Sequence, residues 1–470
     1  MSTARYLAAH LERHCDRLGE SPITTGVSVG EIRAHLTSKY SFETPLSARE
    51  IIDDVGEMLW QWSEHATNPR HFGLFRPCVD WESIAADALV AAYDPNLATY
   101  DFSPAAHEIE RHVLDLLADR FGLPASQRWA NYTSGGQEAN HTAVSVALTH
   151  TFPEVASMGL RHTEAQPVFY LSQEGHHSFE KVAHNTGLGR NSVRWVPADR
   201  DLQMDLEALE MQIRTDRSRG LHPFLLIGTA GTTNAGVIDP LPELASVARR
   251  HGLWFHVDAA WGGAVVLSGE LRTLMNGIER ADSITCDAHK WLSVSTGAGM
   301  FFCRHPEAVR ASFGVDSEYV PQPRRAGTEN PLSTSMQWSR RLIGLKLFMV
   351  LARQGIAGVA GRIERQTELG ELLRGLLRES GFKLLNSTRL PVVCFTHSAI
   401  ENGEIDPATI VRTLADSQTA WISKTLLRGR VPALRACISN FRTAEDDLIA
   451  LVDGLIASIP SAAKKRVFST

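Results

Sequence analysis

The segment Trp254-Phe255-His256-Val257-Asp258-Ala259-Ala260-Trp261-Gly262-Gly263 decides the fold. An apolar run of strand character ends at an acid, and small residues follow. A carboxylate buried without a partner is costly, so Asp258 calls for a cation or a hydrogen-bond donor. A second run, Ser283-Ile284-Thr285-Cys286, leads into Asp287-Ala288-His289-Lys290-Trp291. Lys290 follows Asp258 by 32 residues, the length of one helical crossover and one strand. That order puts both side chains at one edge of a sheet.

The same pattern extends in both directions. The apolar runs Val168–Leu171, Ser192–Val196, Phe224–Gly228 and Gly299–Cys303 alternate with amphipathic stretches such as Leu206–Arg214 and Leu241–His251. Alternating strand and helix predicts an α/β fold, a mostly parallel sheet covered on both faces. Ligands of such sheets bind outside the carboxyl ends of the strands. The first hundred residues read as helical. Ser47 and Glu50 form a capping box, with Leu46 and Ile51 as a staple. The helix they start is expected to reach about His65, with Ile51, Val55, Met58, Leu59 and Trp62 on its apolar side. Ser103-Pro104 starts another, with Pro at its first position. Beyond about residue 340 come a helical stretch, Leu342 to Gly381, the runs Val392–Phe395, Thr419–Ile422 and Leu434–Ile438, and a last helix, Ala444–Ile459. The expected division is a helical N-terminal segment (1–80), a large domain (81–345) and a small α+β domain (346–470).

Composition narrows the function. The chain has 470 residues, 43% hydrophobic and 21% charged, in the ordinary globular range. The net charge of −6 argues against nucleic acid or an anionic membrane as the main partner. The six cysteines are scattered with no CxxC pair, which argues against a metal ribbon or a disulfide framework and for reduced thiols in a cytoplasm. No apolar stretch is long enough for a membrane span, and the N-terminus has no signal-like core.

Five segments carry candidate chemistry. Ser134-Gly135-Gly136-Gln137 opens a helix expected over Thr142–Leu148, and glycines at a helix start expose amides that suit a phosphate. Glu174-Gly175-His176-His177-Ser178 offers an imidazole that can stack on a planar ring or handle protons. Gly231-Thr232-Thr233-Asn234 offers hydroxyls and close approach. Asp258 suits a protonated pyridine nitrogen, an arrangement that strengthens the ring as an electron sink. Lys290, behind a buried strand, is expected to have a lowered pKa and to form a Schiff base. Taken singly, each has a plain structural reading: a turn, a strand-end histidine, a loop, a helix cap or buried salt bridge, a surface lysine. Their joint order is what points to one site.

With these motifs in view the chain strongly resembles the group II pyridoxal-phosphate-dependent amino-acid decarboxylases, the glutamate and aromatic amino-acid type. The resemblance covers roughly residues 68 to 445 and rests on PRHFG (69–73), Ser103-Pro104-Ala105, SGGQEAN (134–140), HHSFEK (176–181), HVDAAWGG (256–263) and DAHKW (287–291). It implies a fold-type I architecture with a seven-stranded sheet, pyridoxal 5′-phosphate as cofactor, no metal, and a homodimer with active sites at the interface. It makes Lys290 the Schiff-base lysine, Asp258 the partner of the pyridine nitrogen, Ala260 a residue packed on the ring and His176 the residue stacked on the other face. Gly135, Gly136 and Gln137 become the phosphate turn, with His289 a phosphate contact, Asp287 beside the lysine and Thr233 near the ring oxygen. Arg435, with His71 and Phe75, falls on the substrate side; Phe72, Trp81 and Phe102 are further candidates for an apolar pocket.

Two departures qualify the expected reaction, decarboxylation of an L-amino acid to an amine. Many relatives carry Asn where this chain has Asp287. Many also carry a proton-donating tyrosine in a loop that here, at 321–331, has none; Tyr319 aligns with the segment before it. The alternatives left open are an aldehyde product, transamination or cleavage of another bond, and a catalytically silent cofactor-binding protein.

Overall fold

The computed structural model describes residues 2–315, 318, 323–325 and 327–460. Strands β1 (Trp129–Thr133), β2 (Pro167–Ser172), β3 (Val193–Val196), β4 (His222–Thr229), β5 (Trp254–Asp258), β6 (Ser283–Asp287) and β7 (Gly299–Cys303) form one sheet in the order β1-β7-β6-β5-β4-β2-β3. Neighbours from β3 through β6 are parallel, and β7 runs antiparallel to both β6 and β1. This is the α/β, mostly parallel, fold-type I arrangement expected. Both faces are apolar at a period of two. Phe169 and Leu171 join the core under the helix Gly136–Thr151, while Val168 and Tyr170 join the core on the other face. The helix Leu241–His251 leads into β5 and ends at Gly252, whose φ of 62° supplies the left-handed turn.

A second sheet is antiparallel: β8 (Lys383–Leu384), β9 (Val392–Thr396), β10 (Ser423–Leu427) and β11 (Val431–Cys437), in the order β10-β11-β9-β8. Its core takes in Phe72, Phe395, Leu434 and the last helix, Glu445–Ser458. The expected strand Thr419–Ile422 is displaced. Trp421 pairs instead with the segment at His71, its N–H donating to the Arg70 carbonyl and its carbonyl accepting from Phe72, and strand pairing with β11 begins at Ser423. The helical stretch near 350 is Leu345–Glu379, two helices merged across Gly355, where φ is 68°.

In the N-terminal segment, Ser47 and Glu50 form the expected capping box, and the helix spans Ala48–Gln61, one turn short of His65. None of its residues is buried; Leu59 is 60% exposed, and Phe42 nearby is 90% exposed. Five of the six cysteines are buried and none forms a disulfide. Among the described residues, no helix is long and apolar enough to cross a membrane, and no cluster of His, Cys, Asp or Glu is arranged to hold a metal ion.

The turn after β1 lies directly on β7. A Cβ built at Gly299 would stand 2.5 Å from the Gly135 carbonyl carbon and from Thr133 Oγ1. Gly299→Ala therefore forces backbone apart and is expected to cost about 1–3 kcal/mol in urea unfolding. Gly269→Ala, with nothing within 4 Å of its added methyl, should stay within about 0.5 kcal/mol. Equal midpoints and slopes for the two variants would contradict this account of the turn.

Candidate active site

The carboxyl ends of β1, β2, β5 and β6 bring together the glycine turn, His176, Asp258, Ala260, Asp287, His289 and Lys290. Asp287, at the end of β6, is buried, and its Oδ2 lies 3.0 Å from Lys290 Nζ. Its Oδ1 has no hydrogen-bond partner. Burial alone would lower the Lys290 pKa, but the Asp287 and Asp258 carboxylates outweigh it and raise it. The amine is thus held as an ammonium, contrary to the lowered pKa expected from its place behind a buried strand. Two acids share its surroundings, and neither is visible in the desolvation argument.

Asp258, at the end of β5, accepts from Asn140 Nδ2 at 2.9 Å and from the Ala260 N–H at 3.1 Å. Asn140 stands one turn into the helix that starts at Gly136, so one helix carries both the glycine turn and a donor to Asp258. The helix begins with Gly135 as N-cap and no side-chain cap, and first-turn amides have no partner within a helix. A Cβ at Gly136 would stand 2.7 Å from Asp287 Oδ2 and 3.3 Å from the Ala260 methyl; one at Gly135 would stand 3.4 Å from the His289 ring. Gly135, Gly136, Ala260, Asp287 and His289 thus border one small space. Gln137 is exposed in the single chain.

His176 is exposed to solvent in the single chain and lies near Asp258, Asp287 and Lys290. Its Nδ1 accepts from the Ser178 N–H at 3.1 Å, which leaves its proton on Nε2. Partial desolvation by its neighbours lowers its pKa, with Asp258 raising it and Lys290 lowering it further. Burial lowers His289 likewise, and the Ala298 N–H donates to its Nδ1. Thr233 is half-buried between Thr232, whose Oγ1 accepts from the Val237 N–H, and Asn234.

Arg435, on β11, is 4% exposed. Its Nε donates to the Asn234 carbonyl, its Nη1 donates to the Gly73 carbonyl at 2.5 Å, and its Nη2 has no partner. The guanidinium lies 4.7 Å over Phe75, which stacks on Trp261 at 4.5 Å, one residue past Ala260. Phe75 and Arg435 thus reach the end of β5. His71 is engaged elsewhere, stacked on Trp421 at 4.8 Å with Nε2 3.2 Å from Glu64. Phe72 belongs to the core of the second sheet, and Trp81 and Phe102 are exposed in the single chain. Of the 321–331 loop, Arg324 and Arg325 bind Asp101. Tyr319 lies outside the described residues.

Residues 31–398 match the sequence profile described as "Pyridoxal-dependent decarboxylase conserved domain". The chain belongs to this family. It is similar to aspartate 1-decarboxylase of Aliivibrio fischeri, with 31% identity over 80% of this chain and 72% of the relative. It is similar to human cysteine sulfinic acid decarboxylase, with 33% identity over 74% and 71%. The crystal structure of mouse CSAD superposes with a TM-score of 0.88 at 26% identity, covering 97% of this chain and 98% of that one. The chain is a pyridoxal-phosphate-dependent amino-acid decarboxylase. The residues present fit that cofactor. The glycine turn leaves room and free amides for a phosphate, and Asp258 is a buried carboxylate suited to a ring cation.

Sequence reasoning passed over Asn140 and His256 as functional residues, although both stood inside quoted motifs. The available signal was periodicity: Gly136 and Asn140 share a helix face, and Trp254, His256 and Asp258 share a strand face. For this decarboxylase, Asp287→Asn removes the nearer of the two acids at Lys290. The pKa of Lys290 in the cofactor-free protein should then fall, by about 1–3 units. The rate of cofactor uptake, which needs a neutral amine, should reach half its plateau at correspondingly lower pH. An unchanged pH profile would contradict the assigned cause.

Proposed function

We propose that Lys290, Asp258 and His176 carry the decarboxylation of an acidic L-amino acid in a cytoplasmic homodimer whose chain divides near residues 80 and 345. When bound, the cofactor supplies the electron sink that accepts the pair left by departing carbon dioxide. Lys290 holds it and yields to the substrate amine. Asp258, which accepts from two N–H donors, would pair with the ring nitrogen and favour its protonated form. Gly135, Gly136 and Gln137 with His289 would hold the phosphate, Ala260 and His176 would pack on the ring, and Thr233 would serve its oxygen. His176, neutral with its proton on Nε2, is placed to hold or pass a proton. Arg435 meets a carboxylate of the substrate through its free Nη2 edge, with Phe75 fixing the plane of the guanidinium.

The observation that carries this reading is the convergence of Lys290, Asp287 and Asp258 beside the glycine turn. Acidic substrates are favoured by Arg435, a buried cation with an unused N–H edge. The relatives named for aspartate and cysteine sulfinic acid point the same way. The tyrosine-free 321–331 loop supports one competing outcome, oxidation of part of the substrate to an aldehyde. A panel of acidic, aromatic and basic amino acids, read by mass spectrometry for amine, aldehyde and keto acid, separates these. Amine and carbon dioxide in equal amounts from acidic substrates is the expected result. Turnover of aromatic substrates alone would overturn the acidic class, and aldehyde as main product would overturn the simple reaction.

The homodimer is supported by uncovered apolar side chains on the N-terminal helices, Leu36 and Leu59, and on the bend between them, Phe42. Sedimentation equilibrium should give twice the chain mass, and Leu59→Glu should shift the mass toward that of one chain. A single-chain mass for the unaltered protein would contradict the dimer.

A further inference from the structure

A line of hydrogen bonds runs under the site from a tryptophan to Asp258. Trp254, His256 and Asp258 alternate along one face of β5, and Ser283 stands beside His256 on β6. The Trp254 indole N–H donates to Ser283 Oγ at 2.8 Å. Ser283 Oγ lies 2.9 Å from His256 Nδ1, His256 Nε2 lies 3.1 Å from Asn140 Oδ1, and Asn140 Nδ2 lies 2.9 Å from Asp258 Oδ2. All five residues are buried.

The ends of this line are chemically one-way. An indole N–H only donates, and a carboxylate only accepts. The three groups between them are ambiguous by themselves: a hydroxyl, an imidazole with two tautomers, an amide with two orientations. With the ends fixed, one assignment leaves every bond with one proton. Ser283 donates to Nδ1, His256 carries its proton on Nε2 and donates to Asn140 Oδ1, and the Asn140 amide donates to Asp258. Burial pushes the His256 pKa down to about 4, so the ring stays neutral and the assignment holds at neutral pH.

We propose that Trp254, Ser283, His256 and Asn140 are positioning residues that set the amide of Asn140 as a donor to Asp258 and thereby keep that carboxylate ionised and aimed at the cofactor ring. The inference rests on the reading of Asp258 as the ring-nitrogen partner. An inverted Asn140 amide would set a carbonyl oxygen against the carboxylate, and Asp258 would then favour its protonated form. Besides His256, the titratable groups that feel the charge of Asp258 are His176, Lys290 and Cys286. The variants below leave those three intact.

The test uses holoenzyme carrying Trp254→Phe, Ser283→Ala, Asn140→Asp or Asp258→Asn. Two quantities are read: the dissociation constant of pyridoxal 5′-phosphate, and the pH titration of the bound cofactor's visible absorbance. Asn140→Asp should raise the dissociation constant at least about tenfold and move the titration. Trp254→Phe and Ser283→Ala should move both in the same direction, by about two- to tenfold in affinity. Trp254→Phe added to Asn140→Asp should change nothing more, because the line is already broken at its last link. If Asn140→Asp fails to fold, the two milder variants carry the test. Trp254→Phe and Ser283→Ala that lower the melting temperature but leave affinity and titration untouched would overturn the proposal. Should Asp258→Asn itself leave both untouched, the reading of Asp258 falls and the positioning role falls with it.

Discussion

One buried charge organises the site. Asp258 closes β5 at the carboxyl edge of the sheet, and burying a carboxylate is tolerable only with donors and a cation nearby. Asn140 and the Ala260 amide are the donors, and Lys290 is the near cation. The donor requirement fixes the helix that follows the glycine turn, since Asn140 must reach β5 from its first turn and a half. It fixes the bend after β5, since the Ala260 amide must fold back on the carboxylate. The glycine turn, Ala260 and Lys290 are thereby held to one another around a single carboxylate.

The second acid, Asp287, has a different part. Its Oδ2 sits 3.0 Å from the lysine amine and close to Gly136, and its Oδ1 is unpartnered. In the cofactor-free chain it is the nearer of two counter-charges to a partly buried amine. An asparagine there would leave that amine with Asp258 as its only near counter-charge. Asp287 therefore bears on how readily the free lysine gives up its proton.

Much of this was legible in the sequence, for physical reasons. Asp258 and Lys290 stand at the ends of strands too apolar to be exposed, and a charge in such a place declares itself. The strand runs 168–171, 224–228 and 299–303 proved to be strands because residues buried on both faces leave no polar alternation to misread. The rest was hidden for equally specific reasons. Trp129–Thr133 carries an Asn among its aromatic residues and shows no apolar run, so β1 went unnamed. Trp421 spends its backbone bonds on the segment near His71, which shifts the second-sheet strand past Thr419–Ile422. The raised pKa of Lys290 depends on two carboxylates brought close only by folding. The roles of Asn140 and His256 needed two periodicities to be read together.

The central claim is that Asp258 keeps the cofactor's ring nitrogen protonated. The most direct measurement is the nitrogen-15 chemical shift of pyridoxal phosphate labelled at the ring nitrogen and bound to the intact protein. At neutral pH the shift should be that of a protonated pyridinium, and in Asp258→Asn it should move to that of a neutral pyridine. A neutral-pyridine shift in the unaltered protein, or the same protonated shift in both, would contradict the account.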